Sequence, residues 1–422
     1  METGSAVAVP RTLLPHSDIL GSQHSERLSN HSQAPHAAGD DSEDKAGTYS
    51  AKSQLEETAE PMTIKQILAS LDGVFPMDQA VIDALPSGST FVSVEHFGTS
   101  AWTITGKITA LGPDGSDEYY FVKIAYGETG RIMLGGEYES SKIVYDTMAD
   151  FIPKPFGYGR YHNTRGPETY FYLSEFVYMD VTTPPEPAEF TSRLANLHKT
   201  SKSPTGMFGF HVQTCDGDRA HVVDWHESWA VFYKNLFLGV CKLDIKRNGP
   251  WPEYERAIDQ MAQRVIPRLL EPLQANGRQL KPCIIHGDLW EGNMGINMET
   301  GDSLLFDVGS YFAHNEMELG HWRCEFSSVF RSKVYTQHYL RHYPAAEPAA
   351  EFDDRNRLYS LKGAINYSAG HPGSSLRTTA YNNMCYLIEK YAPIDGIDKY
   401  DPSIDPSLTG ACIVPHLADG LI

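Results

Sequence analysis

Basic residues are scarce in this sequence. Its 422 residues include 35 Lys and Arg against 54 Asp and Glu, which gives a formal net charge of −19. Proteins that bind nucleic acid normally carry a basic face, so this balance argues against nucleic acid as a partner. It argues in the same way against an anionic polymer as a substrate.

Long hydrophobic runs and paired cysteines are also lacking. No stretch approaches the roughly 18 apolar residues of a membrane-spanning helix, and the N-terminus has no apolar signal segment. Six cysteines are scattered without a Cys-x-x-Cys pair, which favours reduced thiols in a reducing compartment. We therefore expect a cytoplasmic protein without membrane contact. The first forty residues are rich in Ser and His and poor in acids, so organelle targeting is the alternative.

Two common functional motifs are absent as well. Residues 106–109, Gly-Lys-Ile-Thr, lack the upstream glycine and the adjacent Ser or Thr of a Walker A loop. The 17 histidines form no convincing zinc-binding motif. His321 and Cys324 offer two ligand types, but an ordinary surface or core helix is the expected explanation.

The chain is long enough for two lobes with their own core. Residues 1–60 are rich in Ser, His and acids, which predicts a disordered tail, and residues 63–71 show helical spacing. We predict an α+β, two-lobed protein-kinase-like fold. Its parts are a small antiparallel β N-lobe with one helix (61–176), a larger and mainly helical C-lobe (177–392) and a weakly structured extension (393–422).

The chemistry is concentrated in residues 286–293, His-Gly-Asp-Leu-Trp-Glu-Gly-Asn, which follow a short apolar strand. Asp288 and Asn293 are five residues apart, and Asp307 closes a second apolar strand. Phosphoryl transfer requires a carboxylate that takes up a hydroxyl proton, together with an amide oxygen and a second carboxylate that hold Mg²⁺. We assign Asp288 as the base and Asn293 and Asp307 as Mg²⁺ ligands, with ATP as the phosphoryl donor. The Asp-to-Asn spacing is that of the protein-kinase catalytic loop.

Three predicted strands precede this block, at about 90–94, 102–109 and 119–124. Lys123 lies in the third strand and faces opposite to its two apolar neighbours, so it is either an exposed edge lysine or the lysine that contacts the α- and β-phosphates. A helix that opens at 135–139 and ends near Asp150 favours the second interpretation. Its Glu137 is our choice as ion-pair partner of Lys123, and Glu139 is the alternative.

The remaining nucleotide contacts are assigned to a turn and a linker. The turn Gly98, Thr99 and Ser100 would cover the phosphates, although any β-hairpin turn reads similarly. The strand at 169–176 runs into a linker, where backbone groups of Glu175, Phe176 and Val177 would meet the adenine edge. A plain buried strand is the alternative.

Further helices are predicted at 253–273, 316–343, 355–368 and 377–391. An earlier amphipathic helix carries His198, which we expect to be a core histidine rather than a catalyst. Trp225 and Trp229 are predicted on one face of another helix. Core packing and an aromatic wall for a sugar ring are equally compatible with them.

Taken together, these blocks resemble the fructosamine/ketosamine-3-kinase family, over roughly residues 62–392. Residues 286–293 are similar to the family's His-Gly-Asp-Leu-Trp-x-Gly-Asn, in which Trp290 is distinctive. Residues 208–217 with Trp225 and Trp229 form a second similar block, and 135–137 a third. The resemblance implies an aminoglycoside-phosphotransferase-like branch of the kinase fold. It also implies phosphorylation of the 3-hydroxyl of a ketosamine, carried by a small molecule or a protein lysine.

Trp225, Trp229 and Trp290 are the residues we expect to contact that acceptor, and we expect a monomer or homodimer. Two alternatives stay open: a kinase for an aminoglycoside- or choline-like amine, and a catalytically silent pseudokinase that acts as a binding module. The sequence departs from the family after Asp307, where Val-Gly replaces the typical Pro-Ala. At 314–319, His-Asn-Glu-Met-Glu-Leu replaces an Arg-Glu-x-Asp-Leu pattern, which raises the question of what supports this loop.

Overall fold

The computed structural model describes residues 74–100, 102–163 and 166–409. Within these ranges an N-terminal lobe is built on a five-stranded sheet and a larger C-terminal lobe is mainly helical. The predicted two-lobed α+β architecture is therefore confirmed. The predicted tail at 1–60 and the helix at 63–71 lie outside the described residues.

The N-lobe sheet is entirely antiparallel, in the order β1-β2-β3-β5-β4, and a short helix α1 (Gln79–Asp83) precedes it. Its strands are β1 (Thr90–Thr99), β2 (Ile104–Leu111), β3 (Asp117–Tyr126), β4 (Pro155–Arg160) and β5 (Thr169–Glu175). We did not predict β4, because its Pro and Gly residues have low strand propensity. It lies at the sheet edge, where such residues are tolerated.

The two faces of the sheet have different tasks. On β3, Tyr120, Val122 and Ile124 are buried with other apolar residues in the N-lobe core. Lys123 points to the opposite face, as the alternation of side chains along a strand requires. That face is covered by helix α2 (Gly127–Thr147).

Helix α2 begins eight residues earlier than predicted and ends at Thr147 rather than near Asp150. It starts directly after β3 at Gly127, whose φ is +64°, a conformation that glycine adopts without steric cost. The predicted start at 135–139 is therefore mid-helix. A Cβ at Gly136 would lie 2.6 Å from the carbonyl oxygen of Gln213, so this glycine lets α2 approach the C-lobe closely.

Helices dominate the C-lobe and surround one large core. They are α3 (Pro187–Thr200), α4 (Trp229–Asn248), α5 (Pro252–Gln260), α6 (Ile266–Leu270), α7 (Lys333–His342), α8 (Phe352–Gly370), α9 (Leu376–Tyr391) and α10 (Pro406–Thr409). A π-helical turn (Met261–Val265) joins α5 to α6, and a 3₁₀ turn (Glu271–Gln274) follows α6. The continuous helical segment from α5 to this 3₁₀ turn confirms the helix predicted at 253–273. Helices α8 and α9 confirm those predicted at 355–368 and 377–391. No helix in the described ranges is long and apolar enough to cross a lipid bilayer.

Short strands position the loops of the C-lobe. They are β6 (Met179–Asp180), β7 (Cys215–Asp216), β8 (Arg219–Ala220), β9 (Cys283–Ile285), β10 (Met294–Asn297), β11 (Ser303–Leu305) and β12 (Tyr311–Ala313). Antiparallel pairing joins β11 to β10 and β10 to β6, β9 to β12, and β7 to β8. This pairing places β10 beside β11 in one sheet, while β9 belongs to another.

The prediction of one helical stretch over 316–343 is wrong. A 3₁₀ helix (Asn315–Arg323) and the separate helix α7 occupy this part of the chain. Two acids of the 3₁₀ helix, Glu316 and Glu318, are fully buried rather than solvent-exposed. Buried contacts of these two acids hold the 3₁₀ segment, so this part of the chain does not form a regular solvent-exposed helix.

The extension after residue 392 is irregular but anchored in its described part. Asp405 lies between a 3₁₀ turn (Pro402–Ile404) and α10, and it is buried. It pairs with Arg357 of α8 at 2.7 Å. The domain boundaries that we drew at 60, 176 and 392 stay predictions.

Replacement of Arg355 by Met should lower the free energy of unfolding by about 3–5 kcal/mol. Arg355 donates to both carboxylate oxygens of Glu316, at 2.7 and 2.9 Å, and both side chains are fully buried. The variant would leave the buried Glu316 carboxylate without its cationic partner. Urea denaturation followed by circular dichroism measures the loss.

Arg268→Met is the matched control, because Arg268 pairs with Glu351 at a position where its own side chain is 47% exposed. An exposed pair is worth about 1 kcal/mol or less. Similar losses in the two variants would contradict the importance of the buried pair.

Candidate active site

The loop 286–293 places Asp288 and Asn293 in direct contact. It connects β9 to β10, and its last three residues form a 3₁₀ turn (Glu291–Asn293). The Asn293 Nδ2 donates to the Asp288 carbonyl oxygen at 2.8 Å and to Oδ2 of the Asp288 carboxylate at 3.0 Å. Asp288 is oriented by this amide, and its side chain keeps 20% of its surface exposed.

Glu318 supports the loop from behind. Its carboxylate accepts hydrogen bonds from the backbone N–H groups of His286 and of Gly287, the second at 3.2 Å. Burial alone would raise the pKa of Glu318, but interactions with His198 and His286 outweigh it and lower that pKa. A charged carboxylate thus holds the backbone next to Asp288, which answers the question raised by the departures at 314–319.

His198 belongs to this support, as expected for a core histidine. Its side chain is fully buried, with Nδ1 2.7 Å from the Tyr339 hydroxyl and Nε2 3.6 Å from the Glu318 carboxylate. It therefore acts through Glu318 and not on a substrate.

Lys123 joins the two lobes through two carboxylates. Its Nζ lies 2.7 Å from Glu137 of helix α2 and also contacts the Asp307 carboxylate of the C-lobe. Glu139, the alternative partner, instead lies 3.2 Å from His211. The structure therefore pairs Lys123 with Glu137.

The charges of this cluster do not balance. Burial alone would lower the pKa of Lys123, but Asp307 and Glu137 outweigh it and raise that pKa above its usual range. Burial raises the pKa of Glu137 to about 7; Lys123 opposes this rise and Asp307 adds to it. Two carboxylates share one ammonium, and when Glu137 is ionised a cation beside Asp307 would offset the remaining negative charge.

Asn293 and Asp307 are brought together by their strands. Asn293 directly precedes β10 and Asp307 follows β11, and the backbone N–H of Phe306 donates to the Asn293 carbonyl oxygen at 3.1 Å. Asp307 has a φ of +56°, a conformation that Asp tolerates better than most residues. Its side chain is half exposed, and the donor set is one amide oxygen and one carboxylate, both of the type that Mg²⁺ prefers.

The predicted phosphate turn is held by its own side chains. The Thr105 hydroxyl donates to the Gly98 carbonyl oxygen at 3.1 Å. The Ser100 Oγ accepts from the backbone N–H groups of Trp102 and Thr103 at 3.1 and 3.0 Å. Thr99 ends β1 beside them, so the turn forms a compact cap at the end of the β1–β2 hairpin.

The segment from Glu175, the last residue of β5, to Val177 uses two of its three backbone N–H donors within the N-lobe. The N–H of Glu175 donates to the Lys154 carbonyl at 2.8 Å, and that of Phe176 donates to the Tyr119 carbonyl at 3.3 Å. The N–H of Val177 has no hydrogen bond within the described ranges. Among the backbone N–H groups of the three residues predicted to meet the adenine edge, that of Val177 is the one that the structure leaves available.

An aromatic wall beside this linker escaped the sequence reasoning. The Phe176 ring meets Phe97 and Tyr178 edge-to-face, each at 5.1 Å between centroids. The Lys107 ammonium lies over Phe176 at 5.2 Å and over Tyr119 at 4.6 Å. Alternation along β1 and β2 could have placed Phe97 and Lys107 on one face of the sheet. It could not show that these two side chains meet Phe176.

The three tryptophans have different surroundings. Trp225 lies before helix α4 rather than in it, so the predicted shared helical face is wrong. It is half-buried and stacks on Phe312 at 6.1 Å. Trp229 is fully buried and donates its Nε1–H to the Tyr359 hydroxyl at 2.8 Å. Its tentative role in sugar binding is therefore corrected to core packing.

Trp290 lies two residues after Asp288 in the same loop. It is half-buried in the loop 286–293, and its ring meets Phe326 edge-to-face at 6.4 Å. The neighbouring Glu291 accepts the backbone N–H groups of Ser328 and Val329 at 2.6 and 3.2 Å. Glu291 thus ties the loop to the segment after the 3₁₀ helix.

A second charged cluster surrounds Asp288, and the sequence reasoning missed it. The Lys362 ammonium, buried on α8, donates to the Gly287 carbonyl at 2.9 Å and to Asp216 at 3.3 Å, and Arg219 donates to Asp216 at 3.2 Å. Burial alone would raise the pKa of Asp216, but Lys362 and Arg219 outweigh it and hold that pKa well below its usual range. Asp216 lies in the family-like block 208–217, whereas no local pattern marks Lys362.

The fold and this site define a two-lobed, kinase-like protein. The solved structure of a candidate fructosamine-3-kinase from Thermobifida fusca superposes with a TM-score of 0.58 at 20% identity, covering 75% of this chain and 100% of the other. That of a candidate fructosamine-3-kinase from Haemophilus somnus gives 0.53, also at 20% identity, covering 77% and 97%.

The family model for fructosamine kinase matches residues 101–387, and the chain belongs to that family. A chloroplastic protein-ribulosamine 3-kinase from Oryza sativa subsp. indica is 32% identical over 250 residues, which are 59% of this chain and 66% of that protein. A ketosamine-3-kinase from Mus musculus is 29% identical over 182 residues, 40% of this chain and 52% of that protein. The chain thus spans about one half to two thirds of the length of these relatives.

Replacement of Trp229 by Phe should lower the free energy of unfolding by about 1–3 kcal/mol, because it removes a buried hydrogen bond and leaves a cavity. The matched change Trp225→Phe, at a half-buried position, should cost less than about 1 kcal/mol. Chemical denaturation of both variants measures the difference. An equally small loss at both positions would contradict the core assignment of Trp229.

Proposed function

We propose that this chain is an ATP-dependent kinase that phosphorylates the 3-hydroxyl of ketosamines, carried by free amines or by protein lysines. The observation that carries the proposal is the convergence of Asp288, Asn293 and Asp307 with the Lys123–Glu137 pair. Family membership and the names of the relatives support ketosamines as the acceptor class. The cytoplasmic location and the monomer or homodimer stay predictions.

The nucleotide half of the reaction uses the N-lobe. ATP binds between the lobes, with its phosphates under the turn Gly98–Ser100 and its adenine edge at the linker, where Val177 supplies the N–H. Lys123 contacts the α- and β-phosphates. Glu137 holds the ammonium in place, and the hydrogen bonds of the Ser100 side chain keep the turn compact.

The metal half of the site consists of Asn293 and Asp307. Nδ2 of Asn293 is engaged by Asp288, so Oδ1 is its atom for a cation, and Asp307 adds a half-exposed carboxylate. Mg²⁺, when bound, neutralises the charge of the transferred phosphoryl group. These two residues would hold it.

Asp288 carries out the proton transfer. Its carboxylate takes the proton of the acceptor hydroxyl while the hydroxyl oxygen forms a bond to the γ-phosphorus and the bond from that phosphorus to ADP breaks. Asn293 and the backbone supported by Glu318 keep the carboxylate oriented. Catalysis comes mainly from positioning and electrostatic stabilisation.

The test is ADP release with Mg²⁺-ATP and a panel of acceptors: ribulose-lysine, fructose-lysine, unmodified lysine, an aminoglycoside and choline. We expect turnover with the two ketosamines only, and NMR of the product should locate the phosphate on the 3-hydroxyl. Turnover with the aminoglycoside or choline alone would overturn the acceptor class. ATP binding without consumption across the panel would support a binding module instead.

The variant Asp288→Asn should lower kcat by about 10²–10⁴-fold, the usual contribution of a general base. Nucleotide affinity should stay within twofold of wild type, because Asp288 serves the acceptor side. Asp259→Asn, an exposed position on α5, is the matched control and should keep wild-type turnover. Near-wild-type phosphorylation by Asp288→Asn would exclude Asp288 as the base.

A further inference from the structure

His321 carries a buried ring nitrogen that faces the proposed base. The residue is only 3% exposed, and its Nε2 has no hydrogen-bond partner within the described ranges. That nitrogen lies 3.4 Å from Oδ1 of Asp288, the carboxylate oxygen that Asn293 does not hold. Nε2 of His198, His221 and His314 also lacks a hydrogen bond within the described ranges, but of these four histidines His321 is the one whose Nε2 faces the Asp288 carboxylate.

The imidazole is placed by its packing. His321 belongs to the 3₁₀ helix 315–323, the same element whose Glu318 supports the catalytic loop. A Cβ at Gly363 of α8 would lie 3.2 Å from Cδ2 and from Nε2 of His321, so the glycine leaves the room that this ring fills. The Phe326 ring meets it edge-to-face at 5.8 Å.

The surroundings argue against a metal ion as the missing partner. Ligand atoms of Asp216, Asp288 and His321 all lie within 4.8 Å of one another, which is compatible with metal binding. Asp216, however, already faces the Lys362 ammonium and the Arg219 guanidinium. A further cation would meet two positive charges, so a neutral ligand rich in oxygen atoms fits better.

We propose that His321 determines acceptor specificity by binding the oxygen next to the hydroxyl that is phosphorylated. This inference rests on the proposed function. Asp288 Oδ1 accepts the reacting hydroxyl, and His321, with its proton on Nε2, donates to the neighbouring oxygen of the sugar. Because Nε2 is buried, binding of the acceptor requires a small displacement of the side chains that cover it. The distance of 3.4 Å between Nε2 of His321 and Oδ1 of Asp288 is similar to the separation of two hydroxyl oxygens on adjacent carbons of a sugar.

The experiment compares wild type with His321→Leu and His321→Gln, whose amide nitrogen can take the place of Nε2. Acceptors are fructose-lysine and deoxy analogues that lack the oxygen on either carbon next to the phosphorylated one. We expect His321→Leu to lower kcat/KM for fructose-lysine by about 10–100-fold, with nucleotide affinity unchanged. His321→Gln should recover most of this loss.

The analogues separate a substrate contact from a structural role. One analogue should lower the kcat/KM of wild type by about the factor that His321→Leu causes on fructose-lysine. On that analogue, His321→Leu should cause no further loss relative to wild type. The inference would be overturned if, for both analogues, the loss from the missing oxygen and the loss from His321→Leu multiplied. It would also be overturned if His321→Leu kept wild-type kcat/KM on fructose-lysine. Either result would leave the proposed function standing. Absence of ketosamine turnover in wild type would overturn the proposed function and this inference with it.

Discussion

The Lys123 ammonium is shared between carboxylates from two lobes, and the rest of the site depends on this contact. Glu137 comes from helix α2 and Asp307 from the end of β11, so one buried cation couples the sheet of the N-lobe to the strands of the C-lobe. Gly136 permits the helix to come close enough. Because a buried ion pair is costly unless its geometry is good, the pair fixes the relative position of both lobes at the place where phosphates would lie.

The C-lobe loop around Asp288 has its own supporting contacts. Glu318 binds the backbone before Asp288, Lys362 binds the Gly287 carbonyl, and Asn293 binds the Asp288 carboxylate. Asp288 and the backbone before it are therefore held by groups from three parts of the chain. The sequence departs from its family at 314–319, but the loop is still ordered. Buried Glu318 accepts hydrogen bonds from the backbone N–H groups of His286 and Gly287, and buried Glu316 pairs with Arg355.

Much of this arrangement could be predicted from local pattern, and the failures have physical causes. Alternation in β3 predicted the direction of Lys123, and spacing alone singled out Asp288, Asn293 and Asp307 as candidates, which the structure brings into one region. Burial could not be predicted from residue type: a tryptophan such as Trp229 could line a binding site, but it packs in the core. Lys362 and His321 lie far from the loop in sequence, and only the packing of α8 against the 3₁₀ helix brings them to Asp288.

Nucleotide affinity of a Glu137→Gln variant tests the central claim most directly. Isothermal titration with Mg²⁺-ATP should show a Kd raised about tenfold or more, because the neutral amide no longer holds the Lys123 ammonium. Glu139→Gln on the same helix is the matched control and should stay within twofold of wild type. An unchanged Kd in Glu137→Gln would contradict the claim that the shared lysine organises the site.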